Sequence, residues 1–258
     1  MKEPLILITN DDGIAAPGIR KLISIMNNFG DVVVVAPDRP RSGAGHAITI
    51  EDNLRCDQII MDDGPQKEYA CSGTPVDCIK LAVNQLLDRK PDLCVSGINH
   101  GSNSSINVIY SGTMAAAIEG SLEGIPSIGF SLLDYAANAN FSEAEVYIRK
   151  VIESVLKNRM EEGISLNINF PKSIKGQKIK GIKVCRQAHA NWEEEFEKRT
   201  DPKGREYYWL TGNFINYDNG EDTDEWALSN HFVSVVPVQC DMTAYKAMSS
   251  LNLILKDE

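Results

Sequence analysis

Two adjacent carboxylates, Asp11 and Asp12, stand just after a short apolar run of the chain. The run Leu5–Thr9 predicts a buried strand, and Asn10–Gly13 predicts a turn at its end. Neighbouring carboxylates repel each other unless a cation neutralises them, and their oxygens suit hard ions such as Mg²⁺ or Mn²⁺. The pair therefore indicates a metal site, although an Asp-Gly turn with solvated carboxylates would give the same pattern.

A second polar loop follows the apolar, β-branched run Asp31–Ala36 and contains Ser42 and Gly43 close to Arg39 and Arg41. Serine and glycine allow backbone N–H groups to approach an anion, and the arginines add positive charge. The Ser42 hydroxyl is also a possible oxygen ligand for a metal. The alternative is a flexible surface loop without a ligand.

A third polar segment, with Asn99 and Asn103, follows the predicted strand Asp92–Ser96. An asparagine side chain offers a neutral oxygen to a metal or an N–H to a phosphate. Asparagine and glycine also tolerate a left-handed backbone, so the same residues fit a simple turn.

The fourth segment, Ser111-Gly112-Thr113, opens a predicted helix of mostly small residues, Gly112–Glu123. The free N–H groups and the positive end of a helix dipole bind phosphate well. Ser111 or Thr113 is equally suited to cap this helix, and capping and phosphate binding can coexist.

The elements that must position these loops alternate between strands and helices. This order predicts an α/β fold, a doubly wound and mostly parallel (Rossmann-like) sheet, in which ligands bind at the carboxyl ends of the strands. Ser142 and Glu145 are spaced as a capping box at the start of a further helix, Ser142–Lys157. The other predicted helices are Pro17–Phe29 and Pro75–Leu87, and the other predicted strands are Ile125–Leu132 and Ile164–Phe170.

Beyond Lys183 the helical periodicity fades. Tyr207–Thr211 and Phe232–Val238 resemble the two strands of a hairpin, separated by the acidic stretch Asp218–Glu225, and Met242–Leu251 resembles a short helix. We expect residues 1–183 to form the Rossmann-like catalytic domain. Residues 184–258 would then form a C-terminal β-hairpin and helix extension for oligomerisation or subunit exchange.

Composition limits the class of partner. The 258 residues carry a formal net charge of −10, which disfavours polymeric nucleic acid and anionic membranes but permits a small phosphorylated substrate if a metal supplies positive charge. No apolar run is long enough for a membrane span or a signal peptide. The six cysteines show no metal-binding spacing, so we expect reduced, buried thiols in a cytoplasmic protein.

Five motifs occur in one order along roughly residues 5–131: TNDDG, APDRPRSG, SGTPVDC, SGINHGSN and IYSGTMAAA. This series resembles the signature of the SurE family of nucleotidases, and VPVQCDMTAY resembles the family's C-terminal segment. The resemblance implies 5′- and 3′-nucleotidase activity, some activity on short polyphosphate, and a homodimer or homotetramer with C-terminal exchange.

The resemblance also implies a set of site residues. One divalent cation per subunit, Mg²⁺ or Mn²⁺, would be held by four side chains: Asp11, Asp12, Ser42 and Asn99. Phosphate contacts would come from Asn103, Ser111, Gly112 and Thr113, with Gly43 added because its backbone can approach an anion.

These residues together predict metal-assisted hydrolysis of a phosphate monoester, with Asp11 and Asp12 as catalytic residues. Asp12 would orient or deprotonate the attacking water, and a covalent aspartyl-phosphate is the competing route. His46 and His100 are weaker candidates for a general acid. The aromatic residues Trp192 and Tyr207–Trp209 either pack within the tail or stack on a base.

Two other classes share the expected fold. A signalling receiver domain also places paired acids after its first strand, but Asn99 stands where a phospho-accepting aspartate would be needed. A non-catalytic phosphate- or nucleotide-binding module is the other alternative. The chain has neither a GxxxxGK[ST] loop nor a GxGxxG motif after its first strand.

Overall fold

The computed structural model describes residues 3–136, 138–158 and 160–255, and within them nine strands form one mixed sheet. The strands of the chain are β1 (Leu5–Thr9), β2 (Asp31–Pro37), β3 (Cys56–Ile59), β4 (Lys67–Cys71), β5 (Leu93–His100), β6 (Ser127–Leu132), β7 (Ile164–Phe170), β8 (Ile182–Val184), β9 (Ala190–Thr200), β10 (Glu206–Asn216) and β11 (Val233–Gln239). The order in the sheet is β3-β4-β2-β1-β5-β6-β7-β11-β8, and the six strands from β4 to β7 run parallel.

Helices cover both faces of this sheet. The helices of the described chain are α1 (Pro17–Met26), α2 (Pro75–Leu81), α3 (Gly112–Leu122), α4 (Ser142–Lys157), α5 (Asp224–Ser229) and α6 (Tyr245–Ile254), and the first four pack on the sheet. Successive residues of a strand point to opposite faces. Ile6 and Ile8 therefore pack in one apolar cluster with α1 and α4, and Leu5 and Leu7 pack in another with α2 and α3. This arrangement confirms the predicted doubly wound α/β fold.

The helices end close to where the sequence predicts, with local differences. α1 ends at Met26, and α2 gives way after Leu81 to a π-helical turn over Ala82–Leu86. The capping box predicted for α4 is wrong, because Ser142 is already inside the helix and Phe141 occupies the N-cap without a side-chain bond. A capping box instead starts α2, between Thr74 and Asp77.

The predicted pairing of Tyr207–Thr211 with Phe232–Val238 is also wrong. β10 pairs with β9 in a two-stranded hairpin, and β11 lies in the main sheet between β7 and β8. The physical reason is burial: Val233–Val236 is buried, as an inner strand requires, whereas β10 is mostly exposed. The sheet thus crosses the boundary predicted between residues 183 and 184, and the short C-terminal helix is α6.

The cysteines differ in part from the expected reduced, buried thiols. Cys56 and Cys71 face each other across β3 and β4 and are joined by a disulfide. Cys78, Cys94 and Cys185 are free and buried, and Cys240 is free and exposed. Among the described residues, the helices are all too short or too polar to cross a bilayer.

Candidate active site

Asp11 lies just beyond the carboxyl end of β1 with its side chain buried. Its Oδ1 accepts a 2.6 Å hydrogen bond from the Thr113 hydroxyl, and its main-chain oxygen accepts a 2.7 Å bond from the N–H of Arg41. Burial raises the pKa of the Asp11 carboxyl above its usual value, and the charge of Asp12 adds to this, while the Thr113 bond opposes it. The carboxylate is therefore costly to keep charged without a cation.

Asp12 is half-buried and faces the end of β5. Its Oδ2 accepts a 3.3 Å hydrogen bond from the His100 N–H, and burial raises the pKa of its carboxyl. The neighbouring Asn99 donates from Nδ2 to the Gly101 carbonyl at 3.0 Å. This bond fixes the amide so that its Oδ1, which has no donor within the described chain, remains free for a cation.

The loop with Ser42 and Gly43 is held by a backbone hydrogen bond at each end. Arg41 donates its N–H to Asp11, and Gly45 donates its N–H to the Tyr110 carbonyl at 3.2 Å. Between these bonds Ser42 and Gly43 are exposed, and Gly43 has a φ of +74° with open space around it. Ser42 and Gly43 therefore lie on a loop whose backbone is hydrogen-bonded to Asp11 on one side and to Tyr110 on the other.

The start of α3 packs directly against Asp11. Ser111 is the N-cap, and its Oγ accepts a 3.0 Å bond from Met114 N–H. The first intrahelical bond runs from Ala115 to Ser111, so the amides of Gly112 and Thr113 precede it. A Cβ on Gly112 would stand 2.7 Å from the Asp11 Cβ, so only glycine permits this approach. The Ser111 cap thus leaves the amides of Gly112 and Thr113 outside the intrahelical bonds, and phosphate binding by this turn stays a prediction.

Asn103 is placed differently. It is buried, and it donates its N–H to Asn169 and its Nδ2 to the Ser131 hydroxyl, both at 2.8 Å. Its carbonyl accepts from Asn167 at 2.7 Å. These bonds fix Asn103 on the ends of β6 and β7, and in the described part of the chain no hydrogen bond joins it to the two carboxylates.

The sequence analysis did not identify Ser131, Asn167 and Asn169, the three residues whose side chains are hydrogen-bonded to Asn103. The signal was present in β7, since Asn167 and Asn169 alternate with apolar residues in a buried strand. Buried polar side chains of this kind normally serve a hydrogen-bond network.

Four hydrogen bonds thus connect the four predicted loops: Arg41 to Asp11, His100 to Asp12, Thr113 to Asp11, and Gly45 to Tyr110. In the described ranges neither Asp11 nor Asp12 forms an ion pair with a basic side chain. The buried Oδ1 of Asn10 and Oγ of Ser96 lack partners as well. Two uncompensated acids and orphaned oxygens fit a hard divalent cation.

The four candidate metal ligands include only two carboxylates and no imidazole. No cluster of three or more His, Cys, Asp or Glu suited to a metal occurs among the described residues. Two carboxylates with a hydroxyl and an amide oxygen give an oxygen-only set, which Mg²⁺ and Mn²⁺ accept. The roles of Asp11, Asp12, Ser42 and Asn99 as ligands stay predictions.

The sequence model of the family described as Survival protein SurE matches residues 6–194, which include all four loops. The chain belongs to the SurE family. It is 63% identical over 252 residues to "5'-nucleotidase SurE" of Christiangramia forsetii, covering 97% of this chain and 96% of that protein. It is 62% identical over 252 residues to the protein of the same name from Flavobacterium psychrophilum, covering 98% of each.

A solved structure supports the same assignment to the SurE family. The crystal structure of the SurE protein from Aquifex aeolicus superposes with a TM-score of 0.83 at 38% identity, covering 98% of this chain and 100% of that one. Both the family and the doubly wound fold expected from the sequence are therefore confirmed.

The hairpin β9–β10 borders the site of this SurE-family chain. A cavity of about 450 Å³ lies between Gly43 and Tyr110 on the loop side and Trp192 and Leu210 on the hairpin side. The Trp192 Nε1 donates to Asn107 Oδ1 at 2.8 Å, which anchors the hairpin near the 3₁₀ turn before α3. Tyr207–Trp209 is exposed, so packing in a core is not its role in the single chain.

The two loop histidines have different surroundings. His46 Nε2 lies 2.8 Å from the buried Glu119 on α3, which also pairs with Lys80. His100 packs edge-on against Phe141, and its buried Nε2 has no partner among the described atoms. Neither observation assigns a general acid.

Proposed function

We propose that this chain is a divalent-metal-dependent phosphomonoesterase that hydrolyses nucleoside 5′-monophosphates to nucleoside and phosphate. The observation that carries the proposal is the buried Asp11 beside Asp12, without a basic partner among the described residues and in contact with the first turn of α3. The names of the curated relatives support the same reaction.

Asp11, Asp12, Ser42 and Asn99 would hold the cation, because they supply oxygen donors and the loops of Ser42 and Asn99 are each hydrogen-bonded to the Asp11–Asp12 loop. When bound, a divalent ion offsets charge on the phosphoryl group and makes water more acidic. Around it, the amides of Gly112 and Thr113 would bind phosphate oxygens, assisted by the helix dipole.

Asp12 is the better placed carboxylate for the attacking water. It is half-buried and held by a single backbone bond, whereas Asp11 is engaged by Thr113. In this scheme Asp12 orients the water and accepts its proton, the water oxygen bonds to phosphorus, and the ester P–O bond breaks. The leaving alkoxide then takes a proton from solvent or a neighbouring acid.

A covalent route is the competing version, in which a carboxylate attacks phosphorus first. Hydrolysis of an ester whose phosphorus is made chiral with oxygen isotopes and sulfur distinguishes the two. Inversion of configuration at phosphorus supports a single attack by water, whereas retention, from two successive displacements, supports an aspartyl-phosphate.

The proposal also covers substrates other than nucleoside 5′-monophosphates. Nucleoside 3′-monophosphates and short-chain polyphosphate are proposed as further substrates, because the resemblance of the five motifs to the SurE family implies them. The aromatic walls of the cavity between Tyr110 and Trp192 suit a nucleoside.

Assembly as a homodimer or homotetramer is proposed from the C-terminal surfaces. α6 has no buried residue, and exposed apolar side chains continue through it. An apolar helix of this kind is stabilised by docking on a second copy of the chain. Light scattering tests this proposal, since a monomeric mass would contradict it. A cytoplasmic location stays a prediction.

The activity is tested by phosphate release from a panel of nucleoside monophosphates with Mg²⁺, Mn²⁺ or EDTA. We expect metal-dependent release by the wild type and its loss in Asp11→Asn. Asp31→Asn, at an exposed position at the start of β2, is the matched control and should keep full activity. No release from any ester with any metal would contradict the proposal and favour a non-catalytic phosphate-binding module.

A further inference from the structure

Asp224, the first residue of α5, is a buried carboxylate that joins three segments of the chain. Its Oδ2 accepts a 2.7 Å hydrogen bond from the N–H of Ser105, and its Oδ1 accepts 2.9 Å bonds from the N–H groups of Ala188 and Glu225. A buried charge is costly unless hydrogen bonds compensate it, so the carboxylate stabilises the arrangement in which all of these N–H groups point at it.

Ser105 strengthens the same connection through its side chain. Its Oγ donates to the Ala188 carbonyl at 2.9 Å, so Ser105 and Ala188 are joined both directly and through Asp224. Ser105 is buried and has a φ of +52°, a left-handed backbone that a serine rarely adopts. Such a conformation persists only where the surrounding structure requires it. We call Asp224 and Ser105 together the clasp.

The clasp connects the hairpin β9–β10 to the turn before α3. Ala188 lies just before the start of β9, and Ser105 is the first residue of the 3₁₀ turn Ser105–Ile109. Farther along both elements, Trp192 on β9 donates its Nε1–H to Asn107 in that turn. The position of the hairpin relative to the turn is therefore fixed by the bonds of the clasp and of Trp192.

The cavity of about 450 Å³ lies between these two elements, with Tyr110 on one wall and Trp192 on the other. Tyr110 directly precedes Ser111, the N-cap of α3, and Gly43, which also lines the cavity, directly follows Ser42. Neighbouring Cα atoms in a chain are about 3.8 Å apart, so the cavity adjoins both the predicted phosphate-binding turn and a predicted cation ligand.

The lining of the cavity suits an uncharged ring rather than a phosphate. Tyr110, Trp192 and Leu210 supply aromatic and apolar surface, and the charged residue among the described lining residues is the acidic Glu194. Aromatic rings contact each other favourably only over a narrow range of separations. Recognition of a nucleoside thus depends on the position of the hairpin wall relative to Tyr110, which the clasp determines.

We infer that the clasp determines specificity in the proposed reaction, because it positions the hairpin so that the cavity accepts a nucleoside. The inference rests on the proposed function and adds residues that select its substrate. Asp224 acts through Ser105 and Ala188, so it is a positioning residue. The clasp therefore affects recognition of the nucleoside and leaves binding of the phosphate and the cation unchanged.

The test compares AMP with glycerol 2-phosphate, a phosphate monoester without a nucleoside. Asp224→Asn places an amide NH₂ opposite a backbone N–H, so the base of the hairpin must move. We expect KM for AMP to rise about tenfold, while kcat for AMP and KM for glycerol 2-phosphate change less than about twofold. Glu221→Gln removes an exposed negative charge just before α5, and as the matched control it should change neither KM.

Ser105→Ala is the milder second variant, because it keeps the Asp224 carboxylate and removes only the hydroxyl bond to Ala188. KM for AMP should rise about threefold, without a change in KM for glycerol 2-phosphate. If Asp224→Asn does not fold, this variant decides. Equal effects on the two substrates would show a merely structural role and overturn the inference, and so would an unchanged KM for AMP.

Binding of adenosine separates this inference from the proposed activity. Calorimetric titration of adenosine into the protein in EDTA needs neither turnover nor a metal, and Asp224→Asn should weaken binding about tenfold. That result supports the clasp even if the wild type hydrolyses no ester. Equal binding by wild type and variant, or no binding by the wild type, would overturn the inference even if AMP is hydrolysed.

Discussion

The Thr113 hydroxyl donates a 2.6 Å hydrogen bond to Oδ1 of Asp11, and this bond joins the first turn of α3 to the end of β1. Both groups are buried, so the bond is not shared with bulk water. It leaves Oδ2 as the oxygen of Asp11 that can face a cation. Thr113 is thereby a positioning residue for the carboxylate as well as a candidate for phosphate binding through its amide.

Thr113→Val tests that positioning, because valine keeps the shape and removes the donor. A buried hydrogen bond to a charged group contributes about 1.5–3 kcal/mol, so we expect kcat to fall at least tenfold. Thr113→Ser, which restores the hydroxyl, should recover most of the activity. Steady-state kinetics on AMP provide the measurement, and a valine variant as active as the serine variant would contradict this role.

Gly112→Ala tests the close approach of α3 to Asp11. The added Cβ would lie 2.7 Å from the Asp11 Cβ and 3.0 Å from Oδ2, so the helix or the carboxylate must move. A displacement of about 1 Å in a reacting geometry can lower the rate about a hundredfold. The thermal midpoint is the control, since overall unfolding would lower it sharply, whereas a local shift lowers activity with a smaller change in stability.

The cation site is tested without turnover by thermal melting of Asp12→Asn. In EDTA the variant should melt at or above the wild-type temperature, because one of two repelling carboxylates has become neutral. Mn²⁺ at a hundredfold its dissociation constant should stabilise the wild type by about 2.7 kcal/mol, and the variant much less. Asp31→Asn should respond to Mn²⁺ like the wild type, and an equal response from Asp12→Asn would remove Asp12 from the ligand set.

The sheet and the loops of the site were predictable because their patterns are local. β7 has the predicted limits Ile164–Phe170, and β2 and α1 follow from β-branched and helical spacing. Parallel strands bring their carboxyl ends to one edge, so polar residues after those strands had to meet. The four bonded loops are the result of that rule.

The strand pairing of the C-terminal third was harder to predict, because strands that pair there are distant in sequence. β11 pairs with β7, and the intervening chain forms β8, the hairpin β9–β10 and α5. β9 was not predicted, because its acidic run Glu193–Glu197 has no apolar alternation. An exposed hairpin strand needs no apolar face, so this pattern is absent from its sequence. The Cys56–Cys71 disulfide was equally beyond local reasoning, because it depends on the antiparallel register of β3 and β4.

Asp77 gives a stability prediction with a defined pH dependence. Burial alone would raise the pKa of its carboxyl, but hydrogen bonds from Thr49 and Thr74 outweigh it and lower the pKa below 3.8. Its Oδ2 accepts from Thr49 Oγ1 at 2.6 Å and from Thr74 N–H at 2.8 Å, which joins the loop after β2 to the start of α2.

Asp77→Asn should therefore lower the free energy of unfolding by about 1–2 kcal/mol at neutral pH, through loss of the charged cap. Because the folded-state pKa is lowered, the wild-type carboxylate stabilises the fold above 3.8, and this contribution is lost as the pH falls through the folded value. Urea unfolding at about pH 7 and about pH 3 should show the difference between wild type and variant shrinking on acidification. Asp63→Asn, at an exposed position, should show no difference at either pH, and a difference for Asp77→Asn that persists at low pH would contradict the assignment.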